Sequence, residues 1–310
     1  MARVLAVGPV FVDSIYAGLP RIPEAGQEVY GDRHLVTVGG CAITAIGMAR
    51  LGFSPVLITA VGDDLFGRFV EERLVREGVS TEGLVRVPNK MTSHSTAMVL
   101  EGDRRFVSYA GAELSQTELL QHWVQQSPSP FQGCRWMHVG LQSGPDFYAL
   151  LDRAKSEGVL ISMSTGWPSV EFYRDRKDDL AEAISKADFF FCNELEALGL
   201  SGKDTEEKAL QFFRTAGCHP VITLGARGAL TLNEAGQPIR QKALQVEFVD
   251  PTGAGDSFAV GFMAAVLLGW PLAQALKLGT VCGSLCVTAL GGTEAFPRSL
   301  DEAAGYFAHL

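Results

Sequence analysis

The nine residues DPTGAGDSF, Asp250 to Phe258, set two carboxylates around three of the smallest side chains, at the point where an apolar helical pattern begins. In the run that follows, SFAVGFMAAVLLG, residues Phe258, Phe262 and Val266 share one helical face, and Gly269-Trp270-Pro271 ends it. Gly253, Ala254 and Gly255 are therefore expected at or just before a helix N-terminus, where backbone N–H groups lack intrahelical partners and the macrodipole adds partial positive charge. Small side chains let an anion approach those donors, and a phosphoryl group is a natural guest. A lone Asp in a first turn is ordinarily explained by the dipole alone. Asp256 stands beside an anion hole, where a carboxylate can accept the proton of a hydroxyl as its oxygen attacks a phosphorus held by the amides. The helix terminus is expected to keep Asp256 ionised near neutrality.

The elements that must position this stretch alternate. RVLAVGPVFVD, PVLITAVG, RWMHVG, VLISMS, DFFFCN and PVITLG read as strands, and helical patterns such as CAITAIGMARLG, LFGRFVEERLVREG and EEKALQFFRTAG lie between them. That rhythm predicts an α/β fold with a mostly parallel sheet covered on both faces. Two regions break it. Residues from about Ser14 to Val38 carry Pro20, Pro23 and Gly26 among extended segments, and TSHSTAMVLEGDRRFVSYAG, Thr92 to Gly111, alternates like a hairpin turning at Gly102-Asp103. Both read as insertions, at 14–38 and 92–111, that come together as a small sheet over one edge of a single domain spanning 1–310.

Composition narrows the partners. With 35 acidic against 26 basic side chains, a formal charge of -9 and no Lys/Arg stripe, neither nucleic acid nor an anionic membrane is expected. A small-molecule substrate is. If that molecule is anionic, the protein must meet it with backbone donors or a single Arg or Lys, because its overall field is unfavourable. The six cysteines form no C-x-x-C pair and read as reduced thiols in apolar surroundings. No signal-like start or membrane-length apolar run is visible, so a cytoplasmic protein is expected. A G-x-x-x-x-G-K-[ST] loop is missing too, which removes a P-loop reading, and AVGPVFVD does not lead into G-x-G-x-x-G, which leaves a dinucleotide-binding reading weak.

These residues resemble the ribokinase-like, or phosphofructokinase-B type, family of carbohydrate kinases over nearly the whole chain. DPTGAGDSF is similar to the family's C-terminal signature. VGG at Val38–Gly40 with MARLG following, VGDDLFG at Val61–Gly67, GDRRFVSYAGA from Gly102, NELE at Asn193–Glu196 and TLGARGA at Thr223–Ala229 support it in order. The resemblance implies a three-layer α/β/α domain with a small β lid and ATP-dependent transfer of a γ-phosphate to a sugar or sugar-like alcohol. It implies Asp256 as base and Gly253, Ala254 and Gly255 as anion hole. Asn193 and Glu196 would order Mg²⁺ and its waters, and Thr223, Gly225 and Gly228 would border the nucleotide. Asp13, ending the first strand, would grip substrate hydroxyls with Gly39, Gly40 and Thr44. Asp250 and Thr252 match ligands of a monovalent cation, K⁺, although Ala295 stands where a hydroxyl residue is often found. A homodimer through the lid is implied as well.

Three departures bear on the acceptor. Thr44 takes the place of a usual Asn, Ser162–Ser164 reads SMS where D-x-N is common, and Glu113 follows the lid's GA where Asn is frequent. A plain ribose or fructose kinase is therefore not assumed. A nucleoside acceptor would call for an aromatic-lined pocket, to which Phe11, Tyr16, Trp136 and Trp167 could contribute. A non-catalytic ligand-binding or regulatory protein on the same fold is the reading from a different class, and the intact Asp256, glycine run and N-x-x-E oppose it.

Overall fold

The computed structural model describes residues 2–100 and 103–309. Its main sheet has nine strands in the spatial order Pro238–Gln241, Ala229–Leu232, His219–Thr223, Phe189–Asn193, Leu160–Ser164, Cys134–Gly140, Arg3–Val7, Ser54–Gly62, Leu84–Val87. All pairings are parallel except the two at the Pro238–Gln241 edge. The strands are apolar on both faces, as a sheet covered on both sides requires. Within Arg3–Val7, for example, Leu5 and Val7 enter the core beneath the helices Gln116–Gln125 and Pro145–Ser156, while Val4 and Ala6 face the opposite layer. The three layers are those expected from the alternating pattern.

The sequence RVLAVGPVFVD, read as one strand, is two. Gly8, at φ +152°, and Pro9 interrupt it, so Arg3–Val7 stays in the main sheet and Val10–Ala17 crosses into a second one. That four-stranded sheet has the order Arg33–Gly40, Val10–Ala17, His94–Leu100, Asp103–Tyr109, with a parallel centre between antiparallel flanks. Both irregular regions do contribute to it, but its first strand starts at Val10 and not at Ser14. Asp13 accordingly lies inside a lid strand and not at the end of the first strand. The turn expected around Gly102 lies outside the described residues.

Asp64 fastens the base of this lid. It caps the helix Leu65–Arg76 by accepting from Gly67 N (2.8 Å), and it accepts from Thr92 Oγ1 (2.7 Å) and Thr92 N (3.0 Å) just before the strand His94–Leu100. The motif VGDDLFG thus ties a helix cap in the main domain to the base of the lid. On the other side of the main sheet, the helix Ala254–Leu267 is buried along most of its length, between the sheet and the helix Leu272–Cys286. Its Phe258 and Phe262 meet Phe191 edge-on at 6.5 and 5.5 Å. Each ring contributes about 1.5–3 kcal/mol of burial, so the helix that starts at the suspected anion hole is anchored through its own core face. Among the described residues no helix is long and apolar enough to cross a membrane.

Candidate active site

Gly253 is the N-cap of the helix Ala254–Leu267, in the left-handed region at φ 75°, ψ 3°. Ser257 N already donates to Gly253 O (2.8 Å), so the turn is closed and the first amides point out of the helix end. A Cβ on Gly253 would lie 2.7 Å from Gly292 Cα and 2.8 Å from Ile43 Cδ1, whereas one on Gly255 meets nothing within 4 Å. The turn is thus packed hard on one side and open on the other, as an anion hole needs.

The turn is fixed from behind by Asp250. Its Oδ1 accepts from Thr252 N (2.9 Å) and Thr252 Oγ1 (2.7 Å), and its Oδ2 from Gly291 N (2.9 Å). The Cys286 thiol donates to the carbonyls of Thr252 (3.4 Å) and Gly292 (3.3 Å). Asp250 and Thr252 supply the oxygens a monovalent cation would take, with Asp250 Oδ2 accepting one hydrogen bond and so keeping a lone pair, while Ala295 offers no hydroxyl.

Asp256 borders a cavity of about 290 Å³ together with Gly253, Ala254, Gly255, Asn193, Glu196 and Arg104. Burial pushes its carboxyl up to about 6, against the opposing pull of its own backbone N–H and of the Arg104 guanidinium. The helix end therefore does not hold Asp256 at an ordinary carboxylate value, because desolvation outweighs it. A group near 6 is still mainly ionised at neutral pH and is well matched to general-base work.

Asn193 and Glu196 form a capping box at the start of the helix Glu194–Ser201. Asn193 Oδ1 accepts from Glu196 N (2.9 Å) and Glu196 Oε2 accepts from Asn193 N (2.8 Å). This fixes both side chains at the cavity wall. Burial, and after it the charge of Asp256, raises the Glu196 carboxyl. One carboxylate beside a phosphate-sized cavity fits Mg²⁺, which keeps several of its waters and takes phosphate oxygens for the rest.

An adjoining apolar slot of about 310 Å³ shares Thr223, Ala254, Gly255 and Phe258 with that cavity and continues past Gly225 and Gly228 to Leu244, Val246 and Phe248. Thr223, Gly225 and Gly228 all line this slot. Leu244, Val246 and Phe248 were missed, since they lie in an irregular stretch with no motif. Arg104 was missed although GDRRF was in view, because nothing in the sequence tells which of its two arginines faces inward.

Asp13 is 6% exposed and lies over Gly39, where a Cβ would come 2.1 Å from its Oδ2. Burial, then the charge of Asp250, pushes Asp13 up to about 6, against Arg104. Gly40 caps the helix Cys41–Arg50 at φ 63°. Thr44, in that helix, is buried with no protein partner for its hydroxyl, and it lines neither cavity. Of the departures, Glu113 accepts from Ser93 Oγ (3.4 Å) at the lid base, and Ser162 is consumed in the core by Trp136 Nε1 (2.8 Å) and His138 Nδ1 (2.7 Å). Only Ser164 reaches the cavity. Trp136 is a core residue and Tyr16 is 40% exposed; the side chain of Trp167 lies outside the described residues.

With this geometry in place the relatives fall into line. The pfkB family carbohydrate kinase profile matches residues 1–298. Ribokinase of Mus musculus is 29% identical over 97% of this chain and 93% of its own length, and fructokinase of Klebsiella pneumoniae is 31% identical over 85% and 89%. An E. coli protein assigned as Ribokinase II, solved in complex with ATP and Mg²⁺, superposes with a TM-score of 0.81 at 25% identity over 100% of both chains. Together with the fold and the cavity, the match over nearly the whole length shows that the chain belongs to the pfkB family of carbohydrate kinases.

Proposed function

We propose that this chain, acting as one kinase domain over 1–310 with its lid at 14–38 and 92–111, transfers the γ-phosphate of ATP to a hydroxyl of a sugar or a closely related alcohol. The observation that carries this reading is the common wall shared by Asp256, the Gly253–Gly255 turn and the Asn193–Glu196 box around one cavity. The apolar slot takes the base of ATP, and the cavity takes its phosphates. Asp256 accepts the acceptor's hydroxyl proton as that oxygen bonds to the γ-phosphorus, and the bond from phosphorus to the departing ADP oxygen breaks. The amides of the glycine turn hold the developing negative charge without reorganising. Asn193 and Glu196 would hold Mg²⁺, which when bound would neutralise phosphate charge. Asp13, seated on Gly39, orients the acceptor, whereas Thr44, buried outside both cavities, does not reach it.

Ribokinase and fructokinase among the relatives favour a sugar, and the core position of Trp136 and outward position of Tyr16 give a nucleoside base little to stack on. A second copy of this chain covers the outer lid face. A screen of Mg·ATP turnover over pentoses, hexoses, sugar acids, sugar phosphates and nucleosides tests the reading, with Asp256→Asn as control. Asp256→Asn should lower kcat by about 10²–10⁴-fold while Mg·ADP still binds. In the wild type, kcat/KM should fall as pH drops through about 6, where Asp256 and Asp13 take up protons. Unchanged turnover in the Asn variant removes Asp256 from the base role.

A further inference from the structure

The catalytic cavity is built from groups of the wrong sign for its guest. Asp256 and Glu196 form its wall, Asp13 and Asp250 lie within electrostatic reach of it, and the whole chain carries a formal charge of -9. A helix N-terminus offers the equivalent of only about half a positive charge. Arg104 is the one cationic residue among those lining the cavity.

Strand register explains how a lid residue comes to be there. Asp13 is opposite Ser95, Ser95 is opposite Ser108, and Ser108, Phe106 and Arg104 alternate onto one face of the strand Asp103–Tyr109. Arg104 therefore shares the lid's inner face with Asp13, while Arg105 points away. Its guanidinium lies over the Phe106 ring, 5.5 Å from the centroid, so an apolar neighbour supports its shaft and plane. From that position it acts on both Asp13 and Asp256 and holds each below the value that burial alone would impose.

We infer that Arg104 is a catalytic residue that donates to the γ-phosphoryl oxygens during transfer, so that the lid supplies both the grip on the acceptor and the positive charge the reaction needs. This rests on the kinase reading above. A planar guanidinium suits the role because two parallel N–H groups match two phosphoryl oxygens, and because it cannot lose its proton in an acidic cleft. Carried on the lid, that charge joins the glycine turn at the same cavity. Atoms balance as in the transfer above. Arg104 exchanges no proton and only strengthens its hydrogen bonds as charge develops.

The test compares wild type, Arg104→Ala and Arg104→Lys by kinetics on the acceptor found in the screen and by calorimetry with Mg·ADP and with Mg·ADP plus aluminium fluoride, a mimic of the phosphoryl group in flight. In Arg104→Ala, kcat should fall about 10²-fold or more, with Mg·ADP affinity held within about threefold. Its preference for the aluminium fluoride complex over Mg·ADP should drop by about tenfold or more. Added guanidinium ion should restore part of kcat, and Arg104→Lys should keep part of it. A kcat within about threefold of wild type, or a loss confined to the acceptor's KM, overturns the assignment and makes Arg104 an acceptor-binding group. If no acceptor is turned over even by wild type, the kinase reading fails on its own, and the calorimetric difference still decides Arg104. Should Arg104→Ala not fold, the Lys variant carries the same comparison.

Discussion

The glycine turn and the lid meet over the same cavity, but they are built differently. Behind the turn, the loop Gly291–Phe296 is held by a largely buried ion network. Arg50 pairs with Glu77 (2.7 Å) and donates to the Thr293 carbonyl, while Arg73 pairs with Glu77 (3.2 Å) and Glu294 (2.9 Å). That loop in turn presses Gly292 against Gly253. The lid, by contrast, joins the rest, among the described residues, chiefly through Thr92 on Asp64 and Thr37 on Glu294 (3.2 Å), and its outer residues are exposed. The difference separates two tasks. The backbone donors of the glycine turn must be in place before reaction, at tolerances of well under about 1 Å, so they sit where packing permits no choice. On the proposed reading the lid adds Asp13 toward the acceptor and Arg104 toward the phosphoryl group, from strands that are less deeply packed.

The comparison breaks most visibly at Gly253. Gly253→Ala puts a Cβ into Gly292 and Ile43 at a left-handed φ, so the turn must move or the loop must yield. We expect a destabilisation of about 2–4 kcal/mol and a kcat about 10²-fold lower or worse, read by thermal melting and by steady-state turnover. A variant with wild-type melting and rate would show that the turn is not the rigid half.

Gly39→Ala tests the other half at smaller amplitude. Gly39 has no need of a positive φ, so its backbone tolerates alanine, but the added methyl displaces the Asp13 carboxylate that lies over it. The acceptor's KM should rise about tenfold, with kcat and Mg·ADP affinity little changed. An equal loss of ADP binding would mean that lid and nucleotide site are not separable, against the division drawn above.

The rigid half was the legible one. DPTGAGDSF places small residues, a carboxylate and an apolar helix in one continuous stretch, so its local physics specifies the turn, and N-x-x-E specifies its own capping box. The lid was legible as extended insertions but not in detail. That Gly8-Pro9 splits a run of apolar residues, sending Asp13 into the second sheet, depends on which sheet offers edge partners. The inward face of Arg104 depends on register with Ser95, set by pairing between distant segments. The elevated carboxyl of Asp256 was out of reach for a related reason: burial is a property of the assembled layers, whereas the helix dipole is visible locally.

The smallest expected effect concerns the lid's outer face. Val36, Ser14, Thr96 and Val107 lie in one cross-strand row, and the two valines at its ends are 42% and 67% exposed, with Tyr16 and Tyr109 at 40% and 46% beside them. Such a row on an exposed sheet is costly to leave in water, and a two-fold pairing of identical faces would cover it. Val107→Glu would place two carboxylates at that pairing while leaving the inner row of Asp13, Ser95 and Ser108 untouched. Light scattering should then show the wild type as a dimer and the variant as a monomer, with kcat within about threefold, because the glycine turn and Arg104 lie in one chain. A wild-type monomer at working concentration removes the dimer. A monomeric variant that has lost most of its kcat would instead show that the lid borrows its rigidity from its partner, and the contrast between a fixed and an exposed half would then hold only for the isolated chain.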